Sequence, residues 1–368
     1  MSLVLANIGL ATAFGPGLAK ALAALADGDP PFFKTPAFVG TDFTRQLCAF
    51  QRPERIGTLE ERLPDLMDQA CDDLLTTLDP ATLPGQTPLQ AIIALPEANE
   101  DDAIPEQRLS DLTMALAQRL FERFADHPLF QLAGARAVHG GQAGAAQVLE
   151  SILDHGKTDQ AYLLICLDSY ADVDRLYALE GQQRLFCQDT AYGLIPSEAS
   201  GALLLLPETM AQFEGLARIS SAGTAHEEIG ELDNMDSAFT GLSDSAFSAL
   251  DRLGRGRVSI GMLLSDFNNG RYRAGEVSYC VTRLVSEYLQ DGVMPTYPLL
   301  SFGDAGAAYL PLAIAAAIFE AGATAPDSHA LALASSTHSR DRGSVVFRTS
   351  QTAAAQVAAL TQEAEPAG

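Results

Sequence analysis

The chain has 368 residues, 47% of them hydrophobic, and its 47 acidic and 23 basic side chains give a formal net charge of −24. This length and composition predict a large buried core, as one big domain or two fused ones, because single cores stop growing near roughly 250–300 residues. The acidic residues are spread along the chain, and the one dense basic group, at 252–257, is short. Nucleic acid is therefore excluded as an expected partner, since a phosphate backbone needs clustered Lys and Arg.

The cysteines and the apolar segments predict where the protein resides. The five cysteines lack CxxC spacing, and an odd, unpaired set suggests a reducing compartment. Residues 1–17 have no Lys or Arg before the apolar stretch, so they predict a first strand rather than a secretory signal. The apolar run Leu310–Phe319 is too short to cross a bilayer. We expect a cytoplasmic protein of bacterial type with no membrane partner, no metal and no cofactor.

Apolar runs in the first half of the chain alternate with amphipathic segments. The runs predict strands at Leu3–Ala11, Ala91–Leu95, Gln131–Ala137, Tyr162–Leu167 and Gly201–Leu206, and the segments between them predict helices at Leu59–Thr77, Arg108–Ala125 and Gly141–His155. Continuous apolar strands separated by helices indicate a parallel-rich sheet that is covered on both faces.

The second half repeats this rhythm. Strands are predicted at Leu216–Ser220, Val258–Leu264, Tyr297–Phe302, Ala330–Ser335 and Ser344–Arg348, with helices at Val277–Leu289 and Ala307–Ala321. The second of these helices has almost no charge, which predicts burial on all sides. We place the boundary between two similar halves, 1–210 and 211–350, near Pro207–Gly215, and expect residues 351–368 to form a flexible tail.

One segment carries a resemblance to a known family. Residues 184–208 read RLFCQDTAYGLIPSEASGALLLLPE, which resembles the β-ketoacyl synthase pattern RPFDxxRDGFVLGEGAGALVLE at Arg184, Phe186, Gly193, Glu198 and Gly201. The resemblance implies an α/β, thiolase-like, five-layered αβαβα fold made of two similar halves. It also implies a homodimer that pairs through the strand Gln131–Ala137.

A decarboxylating ketosynthase needs a thiolate at a helix N-terminus, two histidines beside the thioester and enolate oxygens, and backbone N–H donors for an oxyanion. The nucleophile of the family lies in a strand-to-helix turn, and the matching stretch here is GARAVHGGQAGA, residues 134–145. We align Val138 with the cysteine, and Val cannot attack a thioester. His139, the next residue, could ionise, although an imidazole beside a turn more often caps or packs.

The other three motifs of the family have also changed. The loop that carries its first histidine corresponds to SDFNNGRYRAGE, where Phe267 or Asn268 takes that position, and the polar turn is the simpler interpretation. Asp304 stands at the second histidine, where a carboxylate would repel an enolate but could cap the next helix. The Gly-rich loop corresponds to SSTHSRDRGS, residues 335–344, which retains only Gly343 and places His338 near the expected pocket.

These substitutions predict a catalytically inactive ketosynthase-like homodimer that acts as a protein-binding, scaffold or adaptor protein. An active ketosynthase or a protein of a bacterial secretion or biosynthetic locus is the expected partner, while the acidic charge argues against docking of acyl carrier protein. The alternative is a divergent β-ketoacyl synthase or acyltransferase that acts on acyl-CoA or acyl carrier protein thioesters through His139, Asn268 or His338. No Walker loop, GxSxG elbow, HExxH or GxGxxG motif offers another chemistry.

Overall fold

The computed structural model describes residues 1–83, 85–233, 235–254, 258–320, 328–350 and 353. The tail expected at 351–368, apart from Ala353, and residues 255–257 of the short basic group lie outside these ranges. The strands are β1 (Leu3–Thr12), β2 (Gly15–Pro16), β3 (Phe33–Val39), β4 (Arg45–Cys48), β5 (Thr87–Leu95), β6 (Phe130–His139), β7 (Ala161–Ser169), β8 (Glu198–Pro207), β9 (Ala217–His226), β10 (Ile260–Ser265), β11 (Pro295–Thr296), β12 (His329–Ser335) and β13 (Asp341–Thr349). The α-helices are α1 (Leu18–Asp27), α2 (Leu59–Thr77), α3 (Glu106–Phe124), α4 (Gly141–His155), α5 (Val173–Gly181), α6 (Gly241–Asp251), α7 (Arg271–Leu284), α8 (Pro298–Phe302) and α9 (Tyr309–Glu320).

Eleven of the described strands form one mixed sheet in which the same order occurs twice, and β3 and β4 form a separate two-stranded sheet. The path runs β11-β10-β12-β13-β9-β1-β8-β7-β5-β6. In chain order the first run is β1, β5, β6, β7 and β8 and the second is β9 to β13, and each run places its third strand at the edge and its first strand at the centre. In both runs the three outer strands are parallel, and the remaining two pair antiparallel. The runs join where Leu3–Leu5 of β1 pair with Ala217–Ile219 of β9. The boundary proposed at residue 210 lies in the connection between β8 and β9.

Helices α4 and α9 occupy the centre of the molecule. Their side chains share one apolar core with the inward faces of both runs of strands, including Leu203 and Leu205 of β8 and Val345 and Phe347 of β13. All residues Tyr309–Ile318 of α9 are buried, because its alanines let the neighbouring helices and strands approach from every side. The central layer therefore brings the N-terminal ends of both helices into the interior.

Two outer helical layers cover the other faces of the sheet. Helices α2 and α3 pack on the first run of strands through a second apolar core, and α6 and α7 pack on the second run through a third. The layers therefore follow each other as helix, strand, helix, strand, helix, which confirms the predicted five-layered α/β architecture. No described helix is both long and apolar enough to cross a membrane.

Most predicted elements are confirmed, with one clear error. The bounds of α2 and α4 are as predicted, but Tyr297–Phe302 is not a strand: only Pro295–Thr296 pair in the sheet, and α8 follows at once. Pro298 is the first residue of α8, a position that suits proline because its fixed φ matches the helix and no N–H is needed there. The sequence patterns did not predict α1, α5, α6 or the two-stranded β3–β4 hairpin.

Candidate functional site at the entrance of the central helix

The turn between β6 and α4 forms the entrance of the central helix. β6 ends at His139, Gly140 is the N-cap, and Gly141 opens the helix with a φ of 55°, a conformation that favours glycine. Gln142 follows and is only 5% exposed. The backbone N–H of Ala143 donates to Ser336 Oγ at 3.0 Å. The residues at the helix N-terminus are therefore two glycines and a glutamine, without a thiol.

The sequence alignment placed Val138 at this entrance, but the structure places Val138 inside β6. Val138 is half-buried against the central core, and its Cγ1 lies 4.0 Å from the position that a Cβ on Gly144 would take. His139 lies at the end of the same strand, and its Nε2 is 2.9 Å from the hydroxyl of Thr113 on α3. Partial burial lowers the pKa of His139. This imidazole is held by an outer helix and is not part of the helix entrance.

A carboxylate from the end of β5 occupies the space above the helix entrance. Glu97 Oε2 accepts backbone N–H groups of Thr337 at 3.0 Å and His338 at 3.2 Å, and Oε1 accepts the N–H of Ser339 at 2.6 Å. A Cβ on Gly141 would lie about 3 Å from the Glu97 side chain. The loop that corresponds to the Gly-rich loop of ketosynthases therefore wraps around this chain's own carboxylate.

The two positions aligned with the family histidines are brought together. Asn268 Nδ2 donates to Asp304 Oδ2 at 2.7 Å, and both residues are at most 5% exposed. Asp304 Oδ1 accepts the N–H of Gly306 at 2.9 Å, which makes Asp304 a cap for the turn that leads into α9. Phe267 turns away from this pair and packs edge-on against Tyr297, with ring centroids 5.0 Å apart.

His338 is fixed through both ring nitrogens. Asn99 Oδ1 accepts the N–H groups of Asp101 and Asp102, which orients the Asn99 amide so that its Nδ2 donates to His338 Nδ1 at 2.9 Å. The other nitrogen, Nε2, therefore carries the proton and donates to Asp102 Oδ2 at 2.6 Å. Burial opposes ionisation of Asp102, but the His338 hydrogen bond and Arg184 outweigh it and hold its pKa well below the ordinary value.

Buried ion pairs fill the region around these side chains. Arg175 donates to Asp168 Oδ1 at 2.7 Å, and the N–H of Ala307 donates to Asp168 Oδ2 at 3.2 Å. Gly306, with a φ of 51°, is required beside this carboxylate, because a Cβ would lie 1.9 Å from Asp168 Oδ2. Arg273 pairs with Asp266 and Arg342 with Glu276, and all four side chains are at most 1% exposed. Loss of one member of a buried ion pair would leave an uncompensated charge in the interior, which is strongly destabilising. The ion pairs therefore hold the surrounding loops in place.

Two cavities of unequal size meet at the side chain of Arg184. The inner cavity, of about 20 Å³, lies against Glu97, Gln142 and His338. The outer cavity, of about 670 Å³, opens towards solvent beside Asn268 and Tyr192. The inner space has room for about one water molecule. Arg184 lines both cavities.

No cysteine is among the residues that line the two cavities, and Cys187 is the one half-buried cysteine of the described chain. Cys48, Cys71 and Cys280 are buried, and burial raises the pKa of each thiol to about 12. Burial also raises the pKa of Cys166, in β7. No group of three His, Cys, Asp or Glu side chains in the described ranges is arranged to hold a metal ion.

Sequence reasoning missed Glu97, Gln142 and Ser336. Glu97 comes two residues after the predicted strand Ala91–Leu95, and the carboxyl ends of parallel strands are where sites form, so its position was a usable signal. Gln142 lies four residues beyond the aligned Val138 and was hidden by that alignment. No local pattern marks Ser336 as a helix cap, because it caps a helix almost two hundred residues away.

Comparisons with solved structures place this fold among the ketosynthases. The chain is similar to the ishigamide ketosynthase/chain length factor, with a TM-score of 0.68, 18% identity, and coverage of 95% of this chain and 100% of that one. A chain in a type II polyketide synthase complex of a ketosynthase, bound to the hexaketide, with its acyl-carrier protein gives 0.72 at 12% identity, with 95% and 99% covered. The oxazolomycin ketosynthase domain of Streptomyces albus gives 0.70 at 14% identity, with 95% and 74% covered.

At the sequence level, no family model matches the chain and no curated protein matches it significantly. The likeness therefore lies in the architecture. The five layers, the repeated strand order and the two buried central helices give this protein the thiolase-like fold of the ketosynthases.

Proposed function

We propose that this protein is a ketosynthase-like protein without condensing activity, which acts as a homodimer through protein binding. The observation that carries the proposal is the hydrogen bond between Asn268, which with Phe267 is aligned with the first family histidine, and Asp304, which is aligned with the second. Asn268 Oδ1 also accepts the N–H of Gly270, and Asp304 Oδ1 accepts that of Gly306. These bonds support a structural role for both side chains in place of thioester chemistry.

The entrance of the central helix supports the same proposal. A condensing enzyme forms an acyl-thioester on a thiolate there, and the residues present are Gly140, Gly141 and Gln142. Glu97 accepts the loop N–H groups that would otherwise face a thioester oxygen. An anionic tetrahedral intermediate beside this carboxylate would be destabilised.

The alternative, a divergent thioester enzyme, requires its candidate groups to converge on one substrate. His139 is bonded to Thr113 on α3, whereas Asn268 lines the outer cavity and His338 the inner one. His338 receives a hydrogen bond at Nδ1 and donates one at Nε2, so neither nitrogen is available to take a proton from a substrate. These separations favour the inactive protein over the divergent enzyme.

The edge strand β6 supports a homodimer. β6 ends the sheet, and β5 is its partner among the described strands. It presents small residues such as Ala133 and Gly134, which allow close approach of a second backbone, and Met114 and Phe121 of the adjoining α3 are 61% and 47% exposed. A long, unprotected edge beside exposed apolar side chains is typical of a strand that pairs with another chain.

If the protein does not catalyse condensation, its ketosynthase-like surface can still bind another protein. Two of the similar structures are, by name, a ketosynthase/chain length factor and a ketosynthase complex with an acyl-carrier protein, so assemblies of this fold with other proteins are known. For this chain we propose an active ketosynthase or a protein of a bacterial secretion or biosynthetic locus as partner, in the cytoplasm.

Intact-mass spectrometry tests whether the protein forms an acyl adduct or turns over a thioester. The purified protein is incubated with acetyl-CoA, malonyl-CoA and acyl carrier protein loaded with the same groups, with an active ketosynthase as positive control. We expect no covalent adduct and no thioester turnover above the buffer rate. An adduct or turnover that disappears in His139→Ala or His338→Ala would reject the proposal in favour of the divergent enzyme.

Crosslinking followed by affinity purification from the native host tests the partner. We expect enrichment of one protein in stoichiometric amount, and we expect the enrichment to persist in His338→Ala. If saturating crosslinker recovers only crosslinked homodimers and no second protein, the adaptor role is contradicted.

A further inference from the structure

We propose that the outer face of the β3–β4 hairpin, with Phe43 at its tip, is a docking surface for another protein. The partner that fits this surface presents an apolar pocket for an aromatic ring, with carboxylates at the rim of the pocket. This inference rests on the proposed role in protein binding, to which it adds the contact surface and the chemistry of the partner.

The pairing register places one set of side chains on the outer face of the hairpin. Lys34 lies opposite Leu47, and Val39 lies opposite Arg45. Directly opposite residues share a face, and Arg45 and Leu47 are two residues apart on β4, so all four side chains are on the same side. Three of them are exposed, and Leu47 is half-buried. The other side, which includes Phe38, packs against apolar side chains of α5.

Phe43 occupies a position of the turn that favours glycine. Its N–H donates to the carbonyl of Gly40 at 2.9 Å, and the N–H of Gly40 donates to the carbonyl of Thr44 at 2.9 Å. These bonds close a three-residue loop whose last residue, Phe43, has a φ of 62°. Glycine is the usual residue there, because the left-handed conformation is strained for a bulky side chain. Phe43 is 91% exposed, so contacts within the described chain compensate little of this strain.

The tip of the hairpin has the properties of an interface anchor. Backbone strain at a residue that does not stabilise the fold is typical of functional positions, and aromatic side chains fill the central pockets of protein interfaces. The turn is also fixed in place, because Glu180 of α5 accepts the N–H of Thr41, and Asp42 accepts the N–H of Thr44 at 2.8 Å. A tip that is held in one conformation loses little entropy when it binds.

The charge of the hairpin indicates the chemistry of the partner. The protein has a formal net charge of −24, whereas residues 33–48 contain two cations, Lys34 and Arg45, and one anion, Asp42. Neither cation forms an ion pair with another described residue, and Asp42 is already bonded within the turn. Both cations share the outer face with its apolar side chains. Carboxylates around an apolar pocket would complement this arrangement.

Titration of the partner that is recovered from the native host tests the docking surface. Phe43→Gly removes the aromatic ring, and Lys34→Glu with Arg45→Glu reverses the charge. We expect each change to lower the affinity by about tenfold or more, and we expect higher salt to weaken binding of the unmodified protein. Met294→Ala and Lys157→Glu, which change exposed side chains elsewhere, are the matched controls and should retain the affinity.

Thermal unfolding of Phe43→Gly separates docking from folding. Glycine adopts the φ of this position without strain, so we expect the variant to melt no lower than the unmodified protein while it loses affinity for the partner. A variant that melts several degrees lower would show that Phe43 stabilises the fold, and would overturn the proposal.

Carbodiimide crosslinking tests the carboxylates of the partner. The chain has three lysines, Lys20, Lys34 and Lys157, and a carbodiimide joins a lysine amine to a carboxylate that it contacts. We expect mass spectrometry of the crosslinked complex to find Lys34, and neither of the other two lysines, joined to a carboxylate of the partner. Lys34→Arg keeps the charge, so it should keep the affinity and lose this crosslink. A complex that is crosslinked without Lys34 would contradict the proposed rim.

The outcomes distinguish this inference from the proposed function. If the unmodified protein recovers no partner, both are rejected. If Phe43→Gly and the charge-reversed variant bind the recovered partner as tightly as the unmodified protein does, the docking surface is rejected and the role in protein binding is retained.

Discussion

The side-chain amide of Asn268 donates a hydrogen bond of 2.7 Å to the carboxylate of Asp304. Asn268 follows β10, and Asp304 precedes α9, so the two elements are linked by this bond at the point where they meet the central layer. Asn268 Oδ1 accepts the N–H of Gly270 at 3.1 Å, and Asp304 Oδ1 accepts that of Gly306 at 2.9 Å. The pair therefore organises both turns.

Exchange of the two side chains tests this pairing. Asn268→Asp places two carboxylates in contact and should lower the free energy of unfolding by about 2–4 kcal/mol at pH 7. Asp304→Asn on the same chain should recover a large part of this loss, because each turn keeps its oxygen acceptor and an amide again faces a carboxylate. Urea unfolding of the single and double variants gives the coupling energy.

Additive effects of the two substitutions in this cycle would show that the pair contributes little as a unit. The Asn268→Asp variant should also regain stability as the pH falls from 7 to 4, since one of the two carboxylates then takes up a proton. A pH-independent loss would contradict like-charge repulsion as the cause.

The edge of β6 predicts the effect of a charge at the proposed dimer contact. Ala133 is exposed on this strand, and Ala133→Asp would place two like charges near each other in a symmetric dimer. We expect the dimer dissociation constant to rise by about tenfold or more, measured by sedimentation or light scattering over a concentration series. Ala37→Asp, on the exposed face of β3, is the matched control and should leave the constant unchanged.

An unmodified protein that is monomeric at all concentrations would contradict this interface directly. A dimer that tolerates Ala133→Asp as well as Ala37→Asp would place the contact elsewhere on the surface.

The ion pair between Glu60 and Arg108 predicts loss of stability in acid. The Arg108 hydrogen bonds, of 2.8 and 2.9 Å, lower the pKa of Glu60 from 4.5 to about 2. Because the folded-state pKa lies below the unfolded value, this contribution is present above about pH 4.5 and is lost as the pH falls towards 2. Asp102, whose pKa is also depressed, acts in the same direction.

Urea midpoints between pH 2.5 and 6 check this prediction. The difference between the unmodified protein and Glu60→Gln should be largest near pH 6 and should shrink steadily below pH 4.5, whereas Glu100→Gln should show little difference at any pH. A constant difference across the range would assign the effect to packing rather than to charge.

Much of the fold could be predicted because it depends on local patterns. The apolar run in β8 and the uncharged helix α9 specify buried elements by composition alone, and the Gly141–His155 helix was bounded by glycines that end helices. The helix α8 was predicted as a strand, because the apolar residues after Tyr297 suit both structures. Pro298 was the local signal against a strand.

The candidate site was less predictable, because its contacts join distant parts of the chain. The alignment identified Asn268 and Asp304 separately, but no sequence pattern showed that they bind each other. The alignment put Val138 at the helix entrance, whereas Val138 lies inside β6. The stretch is rich in alanine and glycine, so its sequence does not mark where the strand ends.

The sequence by itself determined most of the long strands of the main sheet and the two buried central helices, because periodicity and composition act over a few residues. It also determined that residues 140–155, which directly follow β6, contain no cysteine. Only the tertiary structure decided what fills the space above α4, where Glu97 meets the loop at 337–339 across more than two hundred residues. The physical reason is that a buried carboxylate must find donors wherever the fold places them, and sequence distance carries no information about that position.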